Sequence, residues 1–275
     1  MFKKFNAFLF GFIATGIIIV VGGFIFFFVT SPKQYIVLVV GSDQRGTERA
    51  RSDVLFVVSI PKDPQKKPFF LSIPRDTKVE DSEWGLQKIT HFYALGERPD
   101  DGKMLGNIGL TTQAVEQLLD IHVDATVEVT FQSFQEIVND LGGAIVNKKK
   151  VDGAEALAIV RDRFTSGRTD FSRQEDEREI LRSLLTKVKS KEKVNTVMKY
   201  FDTSEQARID YNKRKLVHFL FGAGIARRGK MTIGEMEEAS LPGKGMKIYT
   251  PSFGKELYYW VLDEEATQKL VQEHF

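Results

Sequence analysis

A chain of 275 residues, 42% of them hydrophobic, can bury one large core or two small ones. The formal net charge of +2, without a long basic arm, gives no support to a nucleic-acid tract. The absence of cysteine excludes a disulfide framework and any zinc-thiolate site, and leaves the compartment open.

The N-terminus speaks to compartment. Residues 7–29 carry no charge and are dominated by Ile, Val and Phe. As a helix rising about 1.5 Å per residue they would extend roughly 34 Å, enough for a hydrocarbon core of about 30 Å. Lys3 and Lys4 precede the run, which places the short tail in the cytoplasm and the remainder outside. The run is too long for an ordinary signal-peptide core, and no Ala-x-Ala site follows it. The expected organisation is a cytoplasmic tail over 1–6, a transmembrane signal anchor over 7–29, a linker over 30–34 and an extracytoplasmic domain over 35–275. The protein is thus expected in the cell membrane as a single-pass protein, its domain held close to the lipid.

Beyond the linker, Tyr35 to Val40 and Val54 to Ile60 are continuous, β-branched apolar runs, the pattern of strands buried on both faces. Pro61-Lys62-Asp63-Pro64 reads as a turn, and Phe69 to Ile73 returns as a third strand. Helical spacing covers Leu110 to Leu119 and Phe131 to Leu141, the latter stopping at Gly142-Gly143, with an alternating strand at Ala125 to Val129 between them. Ala154 to Val160 is a further helix. Glu175 to Lys189 is an amphipathic one, with Ile180, Leu181, Leu184, Leu185 and Val188 on one face. After Ser190 come an apolar stretch at Leu216 to Phe221, a turn at Leu241-Pro242-Gly243 and a terminal helix over Glu264 to Phe275. Strands interleaved with helices predict an α/β layered domain, and no linker divides off a second one.

Arginines and aspartates gather at the ends of these elements. Asp43 follows the first strand, Arg51 and Asp53 open the second, Arg75 and Asp76 close the third, and Arg161 and Arg163 close the alanine-rich helix. The guanidinium fork matches phosphate oxygens and stays ionised. Carboxylates beside such arginines would repel a phosphate unless a divalent cation lay between, so Asp43 and Asp53 suit Mg²⁺ better than direct substrate contact. Taken singly, each pair could equally be a local salt bridge or a turn cap, and for Asp76 that reading is preferred: it orients Arg75 or caps the next turn. For Arg161 and Arg163 to reach one phosphate, their helix must end near Val160 and the chain extend. His91 and His122 read as surface or core residues. Ser42 and Ser72 lack the Gly-x-Ser-x-Gly elbow, neither phosphate-loop motif is present, and Lys148-Lys149-Lys150 reads as a solvated turn.

Together these pieces resemble the LytR-CpsA-Psr family. The resemblance is carried by Gly41-Ser42-Asp43-Gln44-Arg45, Arg51-Ser52-Asp53, Ser72-Ile73-Pro74-Arg75-Asp76 and Lys88-Ile89-Thr90-His91-Phe92-Tyr93. It continues in Asp140-Leu141-Gly142-Gly143, Gly153-x-x-Ala156-Leu157, Val160-Arg161-x-Arg163 and Asp170-Phe171-Ser172-Arg173. It implies a three-layer α/β/α domain with a central mixed β-sheet and a hydrophobic pocket for a polyprenyl chain. It also implies transfer of a phosphoglycan from a polyprenyl-pyrophosphate carrier to a hydroxyl of peptidoglycan or another cell-wall acceptor. Carried over, Asp43 and Asp53 hold Mg²⁺, and Arg51, Arg75, Arg161 and Arg163 bind the pyrophosphate. Asp170 supports those arginines or the metal; Arg75, Arg161, Arg163 and Asp170 form the catalytic set. One departure stands out. Where the family continues with Arg-Gln, this chain has Asp176 and Glu177. That departure motivates one alternative, a non-catalytic binder or assembly factor for the lipid-linked glycan; a second is a pyrophosphate hydrolase that passes the phosphoryl group to water. Nucleic acid is not an expected partner.

Overall fold

The strand β1 (Gln34–Ser42) sets the plan of the molecule. Its side chains alternate between two apolar environments: Ile36, Leu38 and Val40 enter a filled core, whereas Val37, Val39 and Gly41 line a cavity. In the computed structural model, which describes residues 22–44, 50–97, 105–161, 170–188, 190–226 and 236–275, β1 lies within a six-stranded sheet. β2 (Ser52–Pro61) pairs antiparallel with β1, and β3 (Phe69–Ser72) antiparallel with β2. β6 (Ala125–Thr130) runs parallel to β1 on its other side. The edges are β9 (Ala207–Tyr211), antiparallel to β6, and β10 (Glu237–Ser240), parallel to β3. The order is β10-β3-β2-β1-β6-β9, a mixed sheet, as the family resemblance implied. Three two-stranded ribbons accompany it: β4 (Lys78–Asp81) with β5 (Gly85–Lys88), β7 (Ala144–Val146) with β8 (Lys149–Val151), and β11 (Gly243–Thr250) with β12 (Lys255–Leu262).

Helices cover both faces. On the filled face, α2 (Ile108–Leu119) contributes Ala114, Val115 and Leu119 to a core with Leu38, Leu55, Val57 and Leu71; Leu270 and Val271 of α8 (Glu264–His274) pack at its margin. On the other face lie α3 (Phe131–Asp140), α4 (Gly153–Arg161), α5 (Asp170–Lys187) and α6 (Lys191–Thr203), joined by Ile137, Val138, Ala156, Ile180 and Leu184. α7 (Lys213–Ala226) sets Phe219 and Ala223 against Tyr35 and Ala125, where β1 and β6 begin. Local signals fix several boundaries. Asn107, Thr130, Ser190 and Asp263 each accept a backbone N–H as N-caps of α2, α3, α6 and α8. α3 stops at Gly142 and Gly143, whose φ of 79° and 87° favour glycine.

Residues 22–29 are helical (α1) and lead directly into β1. The rest of the expected anchor, residues 7–21, and the tail over 1–6 lie outside the described residues. Among the described residues, no helix is long and apolar enough to cross a membrane.

Candidate functional site

The end of the β1–β2 pair is irregular, and the irregularity displays the acids. Register runs regularly to Gly41↔Val54 and then slips to Ser42↔Ser52, so Asp53 is the extra residue of a bulge. A bulged residue leaves the pleat and can be aimed away from it. Here the Asp53 carboxylate accepts a hydrogen bond from Arg75 Nη1 at 2.6 Å. Just beyond the slip, Asp43 Oδ1 accepts the Arg51 backbone N–H at 3.0 Å. Arg75 Nε also stands 3.7 Å from Asp76 Oδ2, and Asp76 Oδ1 accepts from Lys88 Nζ at 2.6 Å. Asp76 therefore orients Arg75, as preferred from the sequence. Arg75 keeps 21% of its side-chain surface exposed, so part of its fork remains reachable.

The segment from Lys88 to Tyr93 explains how this rim is held. Lys88 pins Asp76; Thr90 donates from its N–H to Arg75 O at 3.2 Å and from its hydroxyl to Ser52 O at 2.6 Å, tying the Arg75 backbone to the residue before the bulge. Tyr93 donates to Ser42 Oγ at 3.0 Å and also reaches the fully buried Glu128, which Arg208 balances at 3.1 Å. Burial, followed by the charge of Glu128, pushes the Tyr93 hydroxyl far above its ordinary range, so it remains a donor. The C-terminal ribbon adds a brace: Trp260 N–H donates to Asp76 O at 2.8 Å. Nothing in the sequence assigned those supporting roles.

Behind the rim lies an apolar cavity of about 430 Å³ between the sheet and α3 to α6. Gly41 and Val54, beside the bulge, line it; so do Phe131, Leu157 and Val160. Arg161 is the last residue of α4, exposed, with its guanidinium 5.6 Å from the centre of the Phe131 ring. Since Phe131 and its neighbour Val160 both face the cavity, Arg161 stands at the cavity rim. The extension of the chain beyond Arg161, which reaching one phosphate would require, lies outside the described residues. The structure thus brings Asp53 directly to Arg75 and Asp43 to the Arg51 backbone, with Arg51 itself exposed. Arg163 lies outside the described residues; Asp170 begins α5, but its side chain is not described.

Two further residues were read differently from the sequence. His91 is neither a free surface group nor a packed core one: Nδ1 lies 2.8 Å from Gln87 Oε1, and Arg51, Lys88, Arg75 and Asp76 are all close enough to act on its charge. Burial first, then Arg51 and Lys88, lower its pKa to about 4, so it is neutral at pH 7. Arg178 was not singled out because it sits in an acid-rich stretch. Its Nη1 donates to Ser72 Oγ at 3.1 Å and Ser240 Oγ at 3.0 Å, tying α5 to the strand that delivers Arg75. Of the two unexpected acids, Asp176 accepts from Asn147 Nδ2 at 3.0 Å, toward the β7–β8 ribbon, whereas Glu177 lines the cavity.

A mixed α/β domain whose apolar cavity ends at a rim of arginines and aspartates defines a container suited to an amphiphile with an anionic head. The chain belongs to the LytR_cpsA_psr family, whose model matches residues 27–151 and 147–275. Among curated relatives, the polyisoprenyl-teichoic acid–peptidoglycan teichoic acid transferase TagU of Bacillus subtilis is 27% identical over 262 residues, covering 89% of this chain and 78% of the relative. The TagU of Bacillus licheniformis is 28% identical over 254 residues, covering 86% and 76%. Among solved structures, the Lin1025 protein of Listeria innocua superposes with a TM-score of 0.66 at 25% identity, over 88% of this chain and 97% of that one. TagT bound to LIIa-WTA superposes with a TM-score of 0.63 at 26% identity, over 88% and 89%.

Proposed function

We propose that this protein is a membrane-anchored phosphotransferase that moves a phosphoglycan from a polyprenyl-pyrophosphate carrier to a hydroxyl of peptidoglycan. The observation that carries the reading is the continuity of the apolar cavity with the charged rim: Gly41, Val54 and Val160 line the one, while Asp43, Asp53 and Arg161 belong to the other. A polyprenyl tail would occupy the cavity and leave its pyrophosphate among Arg51, Arg75, Arg161 and Arg163. The family and the transferase relatives support the same reading. The uncharged run over 7–29, of which 22–29 is helical, supports the anchor and an extracytoplasmic domain.

In this mechanism the acceptor hydroxyl attacks the sugar-side phosphorus and polyprenyl phosphate leaves. Arg75 is preset for its part. Asp53 and Asp76 hold it, so its remaining N–H groups can meet phosphate oxygens without reorganising, the usual source of electrostatic catalysis. Asp170, at the start of α5, would support the arginines. The donor set at Asp43 and Asp53 fits Mg²⁺, because both offer hard carboxylate oxygens and each has one oxygen already fixed by a donor. The described residues contain no group of three or more acids, histidines or cysteines able to hold a metal, so phosphate oxygens and water would complete the shell. When bound, Mg²⁺ would neutralise charge on the pyrophosphate.

The test is reconstitution of the full chain with a polyprenyl-pyrophosphate-linked glycan, Mg²⁺ and peptidoglycan. Glycan bound covalently to peptidoglycan, with polyprenyl phosphate released, is the expected result. Free phosphoglycan as the only product would make the protein a hydrolase; donor binding without turnover would make it an assembly factor.

A further inference from the structure

We infer that α7, together with α1, forms a platform seated in the surface of the lipid bilayer, oriented so that the cavity begins at the membrane and the charged rim stands away from it. The inference rests on the anchored reading above and adds a second, separate contact with lipid.

α7 is apolar on both sides. Its inner face, with Leu216, Phe219 and Ala223, packs on Tyr35, Val37, Ile60 and Ala125. At about 100° per residue, Val217, Phe221 and Ile225 fall on the opposite arc, and Leu220 lies on the flank between the two. Val217 is 54% and Leu220 43% exposed, and Ile225 is exposed as well. A helix hydrophobic all round belongs in an apolar surrounding, not with one face in water. The outer face is continuous with a second apolar surface. Phe24 and Phe27 of α1 pack edge-on against Phe221, with ring centres 5.1 Å and 4.8 Å apart; Phe24, Ile25, Phe26 and Val29 are themselves exposed.

The joint between the two helices is built for close contact. His218 stacks on Phe27 at 4.1 Å and its Nε2 lies 2.8 Å from Phe27 O. Gly222 admits Ser31 where any Cβ would collide with the Ser31 hydroxyl. Lys62 Nζ donates to Ser31 Oγ at 3.0 Å. What covers this surface is indicated by what adjoins it. The sequence upstream of α1 is the rest of the uncharged run that begins at Ala7, which would carry the chain into the hydrocarbon. Exposed Lys213 and Arg214 open α7 and exposed Lys33 precedes β1, a cationic border suited to anionic headgroups. α7 packs at the start of β1, whereas Asp43 follows its end. The 9 residues of β1 therefore set the charged rim apart from the platform, by roughly 30 Å at a strand rise of about 3.3 Å per residue. The cavity runs along the same strand, from Val37 and Ile60 to Gly41 and Val54. A lipid tail could pass from the bilayer to the rim without crossing water.

The chain has no cysteine, so single labels report cleanly. Full-length Val217→Cys, Leu220→Cys and Ile225→Cys, each carrying a bimane, are reconstituted into vesicles of phosphatidylglycerol and phosphatidylcholine containing shallow doxyl-labelled lipid. Glu83→Cys, in the exposed turn between β4 and β5, is the control. The expectation is that the α7 labels fall to about half their intensity while the control does not, the behaviour of a helix lying in the interface plane. Protein that floats with the vesicles but shows α7 labels quenched no more than Glu83→Cys overturns the platform and leaves the anchor standing. Protein that does not float overturns both. Labels shielded equally in detergent, with a dimer by sedimentation, would assign the face to a second copy and overturn the lipid contact.

Discussion

The two faces of the central sheet are written in the same residue types and serve opposite ends. On one, Leu38, Val57 and Leu71 are fully buried against α2 and the segment Ile89 to Tyr93. On the other, Val37, Val39 and Val127 border about 430 Å³ of open apolar cavity. A domain that leaves such a space forgoes packing contacts it could have made, because protein interiors are otherwise close-packed. The filled face accounts for stability. The open face, ending at Asp53 and Arg75, accounts for the proposed chemistry.

The contrast is sharpest at the charged end. Arg75→Ala should reduce glycan transfer by about 10³-fold while leaving the thermal midpoint within a few degrees of wild type, since the removed group acts on developing charge rather than on packing. Arg75→Lys should recover little, because a point charge does not replace a fork held by two carboxylates. The transfer assay and a melting curve on the same preparations decide it. Intact transfer by Arg75→Ala would detach the rim from the reaction.

Within the sheet, neighbouring residues of β1 offer the direct comparison. Leu38→Ala on the filled face should cost about 3 kcal/mol in denaturant unfolding, through lost transfer energy plus a new cavity. Val39→Ala, next to it, should cost about 1 kcal/mol, because it only widens a space already open. Equal losses would mean that the cavity is closed in solution. Overfilling should show the same asymmetry. Ala114→Leu in α2 should cost about 1–3 kcal/mol, whereas Val127→Phe should be tolerated within about 1 kcal/mol. Val127→Phe should instead lower the use of long-chain donors relative to short-chain ones, read by competition between the two.

The same comparison shows what could be read from the residues alone. β1, β2, β3, β6 and the helices α2 to α5 and α8 were legible because their apolar periodicity is strong and their ends carry caps or glycines. The mixed pairing came with the family resemblance, and the β10 strand was not legible at all: Glu-Glu-Ala-Ser becomes a strand only because β3 offers an edge. Periodicity placed Val37 and Val39 on a buried face but could not say that the face borders a cavity. The rim was legible as residue types, Arg75 and Asp53 among them. Its supports were not, since Thr90, Tyr93 and Trp260 act through backbone and hydroxyl contacts that only the fold brings together.

A pH-dependent effect is expected at His91, where the stable and the functional regions meet. Its pKa falls from the ordinary 6.5 to about 4, chiefly by burial and then through Arg51 and Lys88, with Arg75 adding and Asp76 opposing. Between those two values the unfolded chain binds a proton that the folded chain refuses. Stability should therefore be complete above pH 6.5 and decline as pH falls toward 4. His91→Gln, which can still donate to Gln87, should flatten part of that decline in urea midpoints measured from pH 7 to 4.5, the remainder belonging to carboxylates. An unchanged slope would mean that His91 is protonated as readily in the fold as outside it. The direction also bears on catalysis. A neutral His91 adds no positive charge to the rim at pH 7, which leaves anion binding there to arginines that cannot titrate. A bound pyrophosphate would favour its protonation, so donor binding should shift the His91 imidazole resonance toward the protonated form at a given pH, and Arg75→Ala should abolish that shift together with binding.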